Sequence, residues 1–363
     1  MSPSEYVLLI DSRGHCLRIA ADGSLGSSPR ADDSAIWGAD GDGFIHATSG
    51  ERYGRAHLAP YSPTTIPGPN KLPSQHLLEL SSTGVTVLGN VMSASELDGL
   101  QTKIGEARAR DFPNEEPIDG NFWIYNGLAF SSELARAATH PVALWLMEQY
   151  LGTNQIYAGT PPMITTIKPA VELAGTYPEG GWHTDYPYHR GVFPQDRWPE
   201  NPPFGLQYNV CIDPFRADNA ATQYLPGSHR LGRWPDAEFN RGGTRMGFAP
   251  HQDVRQLEAP AGAALIYDSR TWHRSCNELN HSGNDRSAIL NAITPAYVPL
   301  MIEKDAVSAE YRTSGVADQL SERERADIER LHLTPTAPLP PGMAGFGNRH
   351  ATALPARSNR VTR

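Results

Sequence analysis

Residues 180–189 read Gly180-Gly181-Trp182-His183-Thr184-Asp185-Tyr186-Pro187-Tyr188-His189. On an extended segment, residues i and i+2 point the same way, so His183 and Asp185 reach one metal ion from one side. Neutral imidazole plus carboxylate suits a borderline metal such as ferrous iron, and three facial ligands leave positions open for chemistry. His189 stands four residues after Asp185, a useful ligand spacing on a helix, but Pro187 between them argues against a helix. Alone the His-X-Asp pair is weak evidence in a chain with 13 His and 40 acidic residues. The downstream sequence adds to it.

A second anchor is Ala264-Leu265-Ile266-Tyr267-Asp268-Ser269-Arg270-Thr271-Trp272-His273, where an apolar run enters a polar turn. His273 comes 90 residues after His183, room for several strands between them. Arg286 follows 13 residues later, at the start of an apolar strand expected over Ser287 to Ile293. A guanidinium there is suited to grip a carboxylate bidentately.

These pieces resemble the phytanoyl-CoA dioxygenase family of iron(II)- and 2-oxoglutarate-dependent oxygenases. The matching residues are His183-Thr184-Asp185, the stretch Asn219-Ala220-Ala221-Thr222-Gln223-Tyr224-Leu225-Pro226-Gly227-Ser228-His229, Trp272-His273-Arg274-Ser275 with Asn277, and Arg286-Ser287. The resemblance runs from roughly Gly84 to Pro299. One departure is visible: Ala220 stands where the family usually has Gly, which bears on the local turn and not on the ligands. The resemblance implies iron bound by His183, Asp185 and His273, with 2-oxoglutarate and O2 in the open positions. Arg286 would hold the distal carboxylate of 2-oxoglutarate, with Ser287 or a nearby hydroxyl as helper. Gln207, Thr166 and Ile164 would lie beside this cosubstrate. Oxidative decarboxylation to succinate and CO2 would drive hydroxylation of the substrate, with desaturation, epoxidation or ring formation open to the same oxidant. Halogenating relatives replace the carboxylate ligand with a small residue; Asp185 is present.

The resemblance also implies a mainly β fold, a double-stranded β-helix (a jelly-roll, cupin-like core) with flanking helices. The composition agrees, with 33 Gly and 31 Pro in 363 residues, well above the combined ~12% of average proteins. Many turns fit an all-β core better than a helical bundle. Residues 1–60 are expected to form a small β-rich appendage: Tyr6 to Ile10 pairs with Cys16 to Ala20, and a second hairpin turns at Asp40-Gly41-Asp42-Gly43. His15, His46 and His57 are read as surface or turn residues. Residues 61–75 are expected to link this appendage to a domain over 76–300. Its expected elements are strands at His76 to Leu80 and Gly84 to Leu88 and a helix opened by a Ser93/Glu96 capping box. An aromatic strand follows at Asn121 to Asn126, then a helix begun by His140-Pro141. Further strands are expected at Gln155 to Gly159 and Met163 to Lys168.

In the last of these strands Ile164 and Thr166 share one face. The strand Phe204 to Asp213 alternates Gln207 and Asn209 with apolar partners, giving a polar face for a polar ligand. Asn209, with Tyr186, Tyr188, His189 and Arg190 of the loop after Asp185, is a substrate-side candidate, since loops on a rigid scaffold usually carry selection. His229 is read as part of a structural turn and His281 as exposed. Residues 301–334 are expected to form a helical extension in which Glu322, Arg323, Glu324, Arg325 and Asp327 make a solvated face. Residues 335–363 read as a Pro/Gly-rich tail.

Net charge is -9, and the chain contains no run of five basic residues, which speaks against a nucleic-acid partner. Cys16, Cys211 and Cys276 form no CxxC pair, so neither a disulfide framework nor a zinc cluster is suggested. A reducing cytoplasm is the expected compartment. The N-terminus lacks the basic and apolar regions of a signal peptide, and no apolar run approaches the ~18 residues of a membrane span. The expected partner is a small molecule, a specialised metabolite or modified amino acid, since no basic patch for an acyl-CoA is evident. The sequence says nothing of oligomeric state. Two other readings remain open: a non-redox metal hydrolase using the same ligands, and a non-catalytic jelly-roll binding module.

Overall fold

The computed structural model describes residues 6–111, 121–152, 157–169, 181–185, 203–235, 239, 253–276, 279–296 and 304–333. The chain is mainly β, built on antiparallel sheets with helices. A seven-stranded sheet holds residues 6–67, in the order Leu25–Ser28, Cys16–Ile19, Tyr6–Ile10, Trp37–Asp40, Gly43–His46 and Arg52–Gly54, with Thr64–Pro67 also on Tyr6–Ile10. Both expected hairpins are present. The stretch expected to be a linker therefore contains a strand, whose four residues pair in register from Val7↔Pro67 to Ile10↔Thr64.

The second sheet has eight strands, in the order Tyr157–Gly159, Ala292–Pro295, Leu206–Cys211, Arg286–Leu290, Met163–Ile167 and Asn121–Ile124. Ala264–Asp268 pairs on Leu206–Cys211, and Val85–Leu88 pairs on Ala264–Asp268. Leu206–Cys211 meets Arg286–Leu290 at Val210↔Ile289 and Ala292–Pro295 at Leu206↔Ile293, a single continuous register on that edge. A three-stranded sheet joins Arg255–Gln256, Gln223–Tyr224 and His273–Arg274.

Side chains alternate across these strands. Leu206, Tyr208, Val210, Ile266, Ile289 and Ile293 face a core built with the helices Pro73–Thr83, Ala94–Asp111 and Pro141–Leu151. The same core includes Leu8, Cys16, Ala35 and Ile36, so the N-terminal sheet shares it.

Three expectations need correction. His76 to Leu80 lies in the helix Pro73–Thr83, not in a strand. Its apolar spacing is helical, with His76 and Leu80 buried on one side, and Gln75 Oε1 accepts from the Leu72 N–H at 3.1 Å to start it. Gly84, at φ +83°, ends it in the left-handed region that Gly favours. His46 is buried, bonded to Ser34 O (3.0 Å) and Ser49 Oγ (2.9 Å) with its ring 5.1 Å from Trp37.

The third concerns the C-terminal helices, Asp305–Thr313 and Glu322–Ile328, the latter continued by a turn at Glu329–Leu333. Arg323 and Asp327 are buried there, not solvated. Arg323 donates to Gly14 O (2.7 Å), Thr139 O (2.6 Å) and Asp327 Oδ2 (3.1 Å). Asp327 also receives Arg30 through both oxygens, at 3.0 and 2.7 Å. Helix-face reasoning sees only residues near in sequence, and these partners lie far away.

Removing one member of a buried ion pair strands the other's charge, so Asp327→Ala is expected to cost about 3 kcal/mol, read as a shift of the urea unfolding midpoint. Burial pushes the imidazoles of His140 and His332 down to about 3 and that of His76 to about 4; Arg323 beside His140, and Lys304 beside His332, act in the same sense. Folded-state values below the unfolded ~6.5 mean that their stabilisation is full above pH ~6.5 and is lost as pH falls toward the folded values. Stability is therefore expected to fall on acidification from pH 6.5 to 4, with His140→Leu reducing the slope by about 1.4 kcal/mol per pH unit. Urea titrations of both proteins across that range read it.

Candidate metal centre

His183 and His273 are brought together by backbone pairing. Each N–H donates to the other's carbonyl at 3.0 Å, an antiparallel bridge between segments distant in sequence. Their rings lie 4.3 Å apart. His183 Nδ1 bonds Gly181 O at 2.8 Å and His273 Nδ1 bonds Thr271 O at 2.9 Å. A carbonyl only accepts, so both Nδ1 atoms carry a proton, which leaves Nε2 as the atom each neutral ring can offer a metal. Asp185 is placed by its own N–H, which donates to Ser269 O at 2.8 Å.

Asp185 Oδ1 lies 3.8 Å from His183 Nε2, and Oδ2 lies 3.5 Å from His273 Nε2. One ligand atom from each residue falls within 4.8 Å of the others. Donors holding one ion at about 2.1 Å sit roughly 3–3.5 Å apart, so the three residues fit a divalent cation with little adjustment. Burial, reinforced by His183, pushes the His273 imidazole down to about 4, so it stays neutral and able to ligate. His183 keeps 35% of its side chain exposed, which marks the open side of the centre, and the half-buried Trp234 ring stands 6.5 Å from it.

The next layer is set by strand register, because residues opposite one another in an antiparallel pair share a face. Gln207 is opposite Tyr267 and Ala292. Its Nε2 donates to Asp185 Oδ2 at 2.8 Å, so the amide expected beside a cosubstrate orients the Asp185 carboxylate. Asn209, expected on the substrate side, gives its Nδ2 to the Tyr267 hydroxyl at 3.1 Å. Tyr267 in turn sets its ring edge-on to His273 at 4.9 Å.

Arg286 lies on this same face, one strand over, through Cys211↔Ala288. It is 3% exposed. Nε donates to Asn219 O (3.0 Å) and Nη2 to Ala220 O (3.1 Å), and the guanidinium carbon sits 3.9 Å from the centre of the Phe215 ring. Among the described residues no carboxylate hydrogen-bonds it and Nη1 finds no partner. Burial lowers its pKa to about 10, which leaves it cationic at neutral pH. Ala220 has φ +63°, the left-handed conformation usually reserved for Gly. The departure from the family pattern thus falls at the turn that carries both carbonyls to Arg286.

Thr166, Ser287 and Ile164 are placed differently from the sequence expectation. Ile167 is opposite Arg286 and Thr165 opposite Ala288, so Thr165 and Ile167 share the Arg286 face. Thr166 and Ser287 lie on the reverse face with their hydroxyls 2.8 Å apart, and Ile164 is in the core against the helices. A one-residue change of face separates them from Arg286. Tyr186, Tyr188, His189 and Arg190 lie outside the described residues. His229 sits in the turn Ser228–Arg230 as expected. Cys276 is buried with its thiol donating to Ala221 O at 2.9 Å.

Over residues 80–288 the chain matches the model of the family described as phytanoyl-CoA dioxygenase (PhyH). The chain belongs to the PhyH family. Two curated relatives, the uncharacterized proteins Mb1539 of Mycobacterium bovis and Rv1501 of Mycobacterium tuberculosis, are each 30% identical over 93 residues. That match covers 26% of this chain and only 30% of each relative's length. Among solved structures, the chain is similar to the non-heme alpha ketoglutarate dependent epimerase SnoN from nogalamycin biosynthesis, at 18% identity and a TM-score of 0.42, over 62% of this chain and 83% of that one. SnoN in complex with Fe3+, alpha ketoglutarate and nogalamycin RO gives 18% identity and a TM-score of 0.44, over 76% and 96%.

Sequence reading missed Thr165, Tyr267 and Trp234 in this PhyH site. Tyr267 shares a strand with Leu265, and period-two alternation from Gln207 was the available signal. Nothing in sequence brings Trp234 to His183. Gln207→Leu, which removes the amide donor from Asp185, is expected to weaken Co2+ binding roughly 10-fold, measured by calorimetry on the metal-free protein.

Proposed function

We propose that this PhyH protein is an iron(II)- and 2-oxoglutarate-dependent dioxygenase that hydroxylates an unactivated C–H bond of a small molecule, releasing succinate and CO2. The observation that carries the reading is Arg286. A cation 3% exposed, with no carboxylate hydrogen-bonded to it among the described residues, invites an anion, and it shares a face with Gln207 and Tyr267, which touch the metal ligands. A short dicarboxylate with a chelating 2-oxo acid at its other end satisfies both sites.

In this proposal His183, Asp185 and His273 hold iron, and Gln207 keeps the Asp185 carboxylate oriented. Arg286, braced by the Asn219 and Ala220 carbonyls and stacked on Phe215, grips the distal carboxylate of 2-oxoglutarate through its remaining N–H donors, with Thr165 as the nearby hydroxyl in place of Thr166 and Ser287. Tyr267 and Asn209 line the wall between. When bound, iron(II) with 2-oxoglutarate and O2 supplies an oxidant strong enough to break an unactivated C–H bond. The exposed side of His183, flanked by Trp234, admits the substrate, a specialised metabolite or modified amino acid. In the same proposal the eight- and three-stranded sheets are the two walls of a double-stranded β-helix within the domain of residues 76–300, with the described residues of 6–60 and 304–333 as supports packed on it. Among the described residues no helix is long and apolar enough to cross a membrane.

Anaerobic titration of the iron(II)-loaded protein with 2-oxoglutarate is expected to produce a weak visible charge-transfer band. His183→Ala should abolish the band. Arg286→Lys, which keeps the charge and loses the fork, should raise the 2-oxoglutarate concentration needed on the order of 100-fold. No band in folded, iron-loaded wild type would sink the dioxygenase reading and favour a metal hydrolase.

A further inference from the structure

We propose that Asp268, together with Tyr150 and Arg270, is a positioning element on which all three metal ligands depend; this rests on the metal site proposed above. Asp268 ends the strand Ala264–Asp268 and is 0% exposed. Its Oδ1 accepts from the backbone N–H of Arg270 and from Arg270 Nε, both at 2.8 Å. Its Oδ2 accepts from the Tyr150 hydroxyl at 2.6 Å and from Arg270 Nη2. The main chain is fixed too: the Asp268 N–H donates to Gly84 O at 2.9 Å, and the Asp268 carbonyl accepts from Thr271 N–H at 2.8 Å. A fully buried carboxylate tolerates desolvation only with such a set of donors.

The guanidinium comes from a residue two positions along, so the ion pair curls residues 268–271 into a tight turn. That turn aims two carbonyls at the metal centre. Ser269 O receives the Asp185 N–H at 2.8 Å, and Thr271 O receives His273 Nδ1 at 2.9 Å. His183 is then held by its two backbone bonds to His273, at 3.0 Å each. Asp185 is placed through its main chain, His273 through its imidazole tautomer, and His183 through His273. Tyr150 anchors the whole from the helix Pro141–Leu151. An ion pair serving only the strand end would lower stability and leave the ligands' affinity alone. A positioning element moves metal affinity as well.

The test measures Co2+ binding by its visible ligand-field bands, beside urea unfolding of the metal-free protein. The proteins are wild type, Asp268→Asn, Arg270→Lys, Tyr150→Phe and, as a non-binding control, His183→Ala. Asp268→Asn is expected to bind Co2+ 10- to 100-fold more weakly with altered bands, and Tyr150→Phe, which removes one donor and keeps the ring, severalfold more weakly while unfolding cooperatively. If Asp268→Asn does not fold, Tyr150→Phe and Arg270→Lys decide. Wild-type affinity and bands in the folded variants, with or without lost stability, would overturn the positioning role and leave the metal site intact. Absence of Co2+ binding in wild type would overturn both.

Discussion

The strand Leu206–Cys211 is hydrogen-bonded along both edges, and the rest of the molecule follows from its two faces. Leu206, Tyr208 and Val210 point into the apolar core against the helices. Gln207 points at Asp185, and Asn209 at Tyr267. With partners on both sides the strand cannot slip by one residue without driving amides into the core and apolar side chains against the metal ligands. The register that buries the core is the one that builds the site, so folding and function are selected together.

Charge distribution makes the same point. Burial opposes the charge of both Arg270 and Arg286. At Arg270 the hydrogen bonds and charge of Asp268 outweigh it and the pKa rises; at Arg286 it prevails. One guanidinium is complete within the protein and serves architecture. The other is held by two neutral carbonyls and an aromatic face, which orient it without neutralising it. Under the proposed function, orientation without neutralisation is what lets Arg286 take a carboxylate, because an internal one would compete with the ligand's.

Much of this was legible in the residues. His183, Asp185 and His273 were readable from local spacing and family resemblance, and they do cluster. The hairpins of the N-terminal sheet, the Ser93/Glu96 capping box and the helix opened by Pro141 were written in short-range chemistry. Faces were harder. Thr165 and Thr166 are adjacent and identical, and only the pairing Ile167↔Arg286 says which one looks toward the guanidinium. Long-range polar contacts were invisible for a related reason. Arg323 beside Glu322 and Glu324 looks like a solvated pattern, and its burial depends on Gly14 and Thr139.

The segments beyond the family match are explained by the helix Pro141–Leu151. Its buried residues include Val142, Ala143, Leu144, Leu146, Met147 and Leu151, which together leave no broad polar face. A helix apolar nearly all round must be covered on every side. The eight-stranded sheet covers one side. Leu8, Ile36 and their neighbours from the N-terminal sheet join the same core, and Ala31 N–H reaches Pro141 O at 3.4 Å. At its polar end Glu148 binds Arg30 of the N-terminal segment and Arg330 of the C-terminal one, two residues before Tyr150 reaches Asp268. Residues 6–67 and 304–333 therefore complete the burial of the helix whose Tyr150 bonds Asp268 at the turn 268–271. Their removal would expose apolar surface on the catalytic core itself, so they belong to the folding unit although the family's match ends short of them on both sides.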